Sequence, residues 1–186
     1  MDLSSVRARI GISAMLLLVG LSYPVTIELF SDRSELRLRR VRPPSVPAGC
    51  STGAIFGRNG RVAVATSVSG MTAGVATVPI LLSTGFTVGL PLSRAYRVGT
   101  PPRRIAAVFL PHALVELPAI CLAGAAGLTG AAFLARRLRS VSYPWRTALA
   151  EWSLLSAASL LLLVLAAVFE CHVTPRVHDT LVIHAE

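Results

Sequence analysis

The residues able to do chemistry are few, and the first group stands in one place. Phe109-Leu110-Pro111-His112-Ala113-Leu114-Val115-Glu116-Leu117-Pro118-Ala119-Ile120 sets an imidazole and a carboxylate four residues apart, between two prolines. The surrounding stretch is otherwise apolar from residue 105 to 135. On a continuous helix, residues four apart share a face, so His112 and Glu116 can pair. A charged side chain at the centre of a membrane helix costs on the order of 2.5–3.5 kcal/mol. Glu116 therefore needs a partner, an interface or a wet cavity. Each proline removes a backbone donor and tends to kink or break a helix. A broken helix at membrane depth is tolerated only against protein or a cavity. A second acid, Glu170, closes the last apolar run within Phe169-Glu170-Cys171-His172-Val173-Thr174-Pro175.

His112, Glu116 and Glu170 are thus the candidate polar cluster. Joined by His172, they could ligate a divalent metal and activate water. The chain has no HExxH pattern, and no Ser or Cys nucleophile stands beside a clear base. No metal or other cofactor is expected, nor catalysis. His172, His178 and His184 are six apart, a spacing that suits neither helix nor strand ligands, and they read as a solvated tail. Of three cysteines, Cys121 lies in an apolar run and reads as a packing residue. A Cys50–Cys171 bridge would need both on one oxidising side, and free thiols are expected.

The elements that must position these groups are apolar runs. The 186 residues are 53% hydrophobic with a mean hydropathy of +0.66. The runs fall at 10–27, 62–93, 105–135 and 149–169, with a polar loop at 31–61. About 20 apolar residues suffice to cross a hydrocarbon core. The reading is a single all-α membrane domain over 1–186. It is a polytopic bundle of four to six transmembrane helices, kinked or broken at Pro79 and at Pro111/Pro118, and ended by Pro175. The first run follows a basic lead without a clear cleavage site, so an uncleaved helix is expected. Residues 35–41 alternate apolar and charged, suiting a headgroup-bound segment or a solvated loop. Gly70 with Gly74, Gly85 with Gly89, and Gly124, Gly127 and Gly130 offer small surfaces for close helix packing. Trp145, Trp152 and Tyr143 read as interfacial anchors. Glu151, near the start of the fourth run, is given no role.

The net charge is +9, and all 18 basic residues are Arg. They sit mostly in the connections, where topology and lipid headgroups account for them. No basic–aromatic platform points to nucleic acid. The arginine balance slightly favours four crossings over five. In both, His112 and Glu116 share a membrane face with Glu170.

Pro111-His112 with Glu116-Leu117-Pro118-Ala119, followed by a run of small residues, resembles the signature of the stage II sporulation protein M family. Glu170 with Thr174-Pro175 is similar to that family's closing pattern, and Asn59 to its polar residue at a helix start. Ala113 stands where the family usually has Gly, and Thr84 where an Asn-Gly pair is usual. The resemblance implies a multi-pass protein of the cell membrane, with Asn59 joining the polar cluster. It implies a scaffold or recruiting subunit of an envelope-remodelling assembly whose partners degrade peptidoglycan. Expected partners are membrane lipids and other membrane or envelope proteins; self-association is left open, and no nucleic acid is expected. The alternatives are a permease-like subunit of a transporter, or a metal-dependent intramembrane hydrolase built on His112, Glu116 and Glu170.

Overall fold

A computed structural model describes residues 3–30 and 51–172, apart from the side chains of residues 28–30, 107–108, 111–112 and 172. Six α-helices follow one another: α1 (Leu3–Phe30), α2 (Thr52–Val68), α3 (Thr77–Arg97), α4 (Pro102–Gly127), α5 (Thr129–Leu138) and α6 (Trp145–His172). A 3-10 turn at Ser69–Thr72 follows α2. No strand occurs among the described residues. Three segments are long and apolar enough to cross a membrane: Leu3–Ile27, Ala113–Leu138 and Trp145–Cys171.

Local chemistry sets the helix ends. Ser51 caps α2, its hydroxyl accepting from the Ala54 amide at 3.4 Å. Pro102 opens α4, where its missing N–H has no intrahelical partner to lose. Arg94 and Arg97 occupy the last turn of α3 and meet the negative end of its dipole. That helix stops in a Schellman pattern, with Thr100 N–H bonded to Ala95 C=O and Gly99 N–H to Tyr96 C=O, each at 3.1 Å. Gly99 takes φ +82°, open to glycine without steric cost.

The long second run is two helices. Its break is the turn 69–76, where Ala73 and Gly74 adopt φ +52° and +78°. Pro79 lies in the first turn of α3, where an amide N–H would have no helical partner. The kink expected at Pro79 is therefore a chain reversal just before it. The third run breaks elsewhere than expected. Helix α4 runs unbroken across Pro111 and Pro118, and the interruption falls at Leu128. Each proline removes a single bond from a helix packed against α1, α2 and α6. At residues 127–130 a second backbone intrudes: a side chain on Gly130 would collide with the Gly70 carbonyl, and one on Gly127 with that of Thr66. Pro175 and residues 35–41 lie outside the described residues.

Contacts fix the helix directions. Gly85 lies on Leu17 and Leu21, and Gly89 on Leu21 and Pro24, so α3 runs parallel to α1. Gly124 meets Ser13 and, further along, Thr129 meets Arg9, so α4 and its continuation oppose α1. Ser159 Oγ donates to the Ala119 carbonyl at 2.7 Å and Glu170 lies near Glu116, so α6 opposes α4. Thr66 meets Gly127 and Arg58 lies near Glu116, so α2 runs with α4, and Trp152 Nε1 donates to the Ser67 carbonyl at 2.9 Å from the opposing α6. The centre is α4, whose Ala119, Ala123, Ala125 and Ala126 are fully buried. Leu17, Leu81, Ile120 and Leu163 complete the main core, with Cys121 as a free buried thiol. Lipid tails are as apolar as leucine, so such helices associate through close packing and interhelical hydrogen bonds.

Candidate functional site

Two polar groups lie in opposite halves of the bundle. The first collects the expected acids. Glu116 on α4 and Glu170 at the end of α6 are both half-buried. They lie within electrostatic range of one another, and Arg58 of α2 is within range of Glu116. The arrangement follows from direction: α2 and α4 begin at the end where α6 finishes. Glu116 thus has an acid and a base from two other helices as neighbours, across 54 and 58 residues of chain. Sequence reading missed Arg58, counting it among the loop arginines. Asn59 is half-buried beside it on α2 and makes no hydrogen bond among the described residues. His112 belongs to α4 one turn before Glu116, and its side chain, like that of His172, lies outside the described residues. Among the residues described, no three His, Cys, Asp or Glu side chains gather as a metal site.

Next to Glu170, Cys171 is disulfide-bonded. This corrects the expectation of a free thiol. Its partner lies outside the described residues, as do His178, His184 and Cys50.

The second group corrects the neglect of Glu151. That residue is 2% exposed, and its Oε2 accepts from Arg9 Nη2 at 2.5 Å and from the Tyr143 hydroxyl at 2.8 Å. Arg9, 5% exposed, donates through Nη1 to Thr129 Oγ1 at 2.5 Å and through Nε to the Ser5 carbonyl at 3.3 Å. Thr129 in turn donates back to the Ala125 carbonyl at 3.2 Å. The network joins α1, the start of α5, the 139–144 connection and α6. Tyr143 is not an exposed interfacial anchor but 6% exposed, with the Arg136 guanidinium over its ring at 4.4 Å. Burial pushes the Tyr143 hydroxyl up to about 12, helped by its hydrogen bond to Glu151 and that carboxylate's charge, and opposed by Arg9 and Arg136. Trp152 is a strut between α6 and α2, while Trp145 stays exposed. The signal for this network was available: the rule that an acid in an apolar run needs a partner applies to Glu151 as it does to Glu116.

The small residues distribute between these ends. Gly85 and Gly89 let α3 approach α1, and Gly124 and Gly127 let α4 meet Ser13, Thr66 and Thr77. Gly70 and Gly74 of the second-run turn face Gly127, Gly130 and Ala131 at the α4–α5 break, so the two interruptions pack on each other. Ser69 and Thr77 hydroxyls bridge the turn at 2.6 Å.

Among the described residues, neither polar group sets a nucleophile beside a base. At the Glu151 end the chemistry is ionic and hydrogen-bonding attachment between helices, and at the Glu116 end it is charge acting on charge between helices. Compared with known proteins, residues 10–175 match the family model described as stage II sporulation protein M, which covers most of the chain. No curated protein and no solved structure matches it.

Proposed function

The chain belongs to the stage II sporulation protein M family, and on that premise we propose that it is a multi-pass scaffold of the cell membrane, the recruiting subunit of an envelope-remodelling complex. It crosses five times in this reading: α1, α2, α3, α4 continued by α5, and α6. The supporting observation is the use made of its ionisable groups. Arg9 and Glu151 tie the bundle at one end, and Arg58, Glu116 and Glu170 stand at the other, on three different helices. Such groups specify one helix arrangement, which is what a recruiting platform must hold constant.

The test is purification from native membrane with and without Glu116→Ala. A co-purifying envelope hydrolase that is lost in the variant, while the variant stays membrane-integrated, is expected. Integrated wild-type protein that brings down no envelope enzyme would end the reading. A permease-like subunit is the second reading, favoured by the contact between the two helix interruptions, a feature of transporter folds. Solute or lipid flux in vesicles reconstituted with the purified chain would select it.

A further inference from the structure

Helix α2 is not among the segments apolar enough to cross a membrane, yet its contacts place it inside the bundle. The hydrogen bond from Trp152 to the Ser67 carbonyl sets those two residues level. The helices are antiparallel and rise about 1.5 Å per residue. Arg61 therefore stands about 9 Å along α2 from that level, opposite Ala158, the middle of the Trp145–Cys171 span. Arg58 falls opposite about Leu161. A second hydrogen bond, from Ser159 to the Ala119 carbonyl, independently puts Glu116 opposite Leu162. The two ladders agree, since Arg58 and Glu116 do lie within electrostatic range.

Both arginines are exposed, and with Ala65 and Val68 they form one outward stripe at helical spacing. Arg58 has the Glu116 carboxylate of α4 to answer it. Arg61 has no ionic or hydrogen-bonding partner among the described residues. Hydrocarbon against a mid-depth guanidinium is costly. A convex helix face cannot hold water against lipid tails without a second wall. Snorkelling or a bilayer defect lowers the cost only in part, and a second polypeptide removes it. A second copy meeting through the same face would bring like charges together across the two-fold axis. The fitting occupant carries the opposite charge.

We propose that the outward face of α2, centred on Arg61 and flanked by Arg58, is the docking surface for a membrane-embedded partner helix with a carboxylate at mid-depth. This deepens the recruiting role and rests on it. The guanidinium meets the partner's carboxylate by a charge-assisted pair, and Ala65 and Val68 give the partner backbone a close apolar approach.

The probe is a synthetic transmembrane helix of Leu and Ala with one central Glu, labelled for energy transfer. It is reconstituted with the full-length protein in phosphatidylcholine vesicles beside its Gln counterpart. Interhelical polar contacts in lipid are worth up to about tenfold in association. The Glu helix is therefore expected to bind about tenfold more tightly than the Gln helix. The preference should vanish in Arg61→Gln and persist in Arg61→Lys. Equal binding of the two helices would overturn the proposal, as would a Glu preference surviving Arg61→Gln. Protein dimers in the vesicles that Arg61→Gln dissolves would overturn it in favour of a second copy. Carbonate-resistant membrane integration of the wild-type chain is measured in parallel. Its failure would indict the membrane reading itself, whereas integration without Glu preference would indict only the docking face.

Discussion

Glu151 shows how the same physical rule yields different roles for two acids in one chain. It is enclosed with Arg9, and the two are separated by 142 residues. Removing one partner of such a pair leaves the other charged and buried, which costs about 3–5 kcal/mol. Glu151→Ala is therefore expected to lower the unfolding midpoint in detergent sharply, and Arg9→Met with Glu151→Leu to recover most of the loss. Additive losses in the double variant would show that the pair does not act as a unit. Tyr143 reports on the same network through pH. Its hydroxyl is raised from the usual 10 to about 12, so the neutral form is the one the fold favours. That contribution is fully present below pH 10 and fades as pH rises through about 12. A titration of unfolding midpoint from pH 9 to 12 should fall less steeply for Tyr143→Phe than for the wild type. At the other end, Glu116→Gln and Glu170→Gln should be non-additive in partner recruitment, because their charges sense each other. Strict additivity would mean the two acids act separately.

The interruptions of the helices follow contact more than composition. Pro111 and Pro118 carry the strongest breaking signal in the sequence, yet α4 passes through both. The actual break at Leu128 sits where Gly130 faces the Gly70 carbonyl at van der Waals closeness. A methyl group there has no space, and overpacking costs about 1–3 kcal/mol. Gly130→Ala should destabilise by that amount, while Gly11→Ala, with nothing near its would-be side chain, should be neutral or slightly stabilising. Thermal scans of the two variants in one detergent make the comparison. The glycine spacings in the sequence suggested close packing. Which glycine meets which helix required the fold: Gly70 and Gly130 are neighbours only because the second run reverses at residues 69–76.

For the whole molecule, helix direction organises everything. Six arginines, Arg7, Arg9, Arg136, Arg137, Arg139 and Arg146, belong to the Glu151 end, ten to segments at or beyond the opposite helix ends, and Arg58 and Arg61 lie within α2. The positive-inside rule would set the Glu116 end toward the cytoplasm. The disulfide at Cys171 argues the reverse, since such bonds persist on the oxidising side. A standing covalent bond constrains the compartment more tightly than a loop-charge bias. The Glu116 end is therefore expected to face outward, so that an impermeant thiol reagent reaches Cys171 from outside after reduction. Labelling only from the cytoplasmic side would reverse the assignment. By itself the sequence determined an all-helical, strongly apolar chain, the family it belongs to, and the pairing of Glu116 with the Glu170 end, because hydropathy, spacing and the order of crossings are properties of the chain alone. Only the tertiary structure decided that the second run folds back, that Arg58 joins the acids, and that Arg9, Thr129, Tyr143 and Glu151 meet. Those contacts span up to 142 residues, and a partner across that distance is chosen by which helices pack together, a choice that no local pattern encodes.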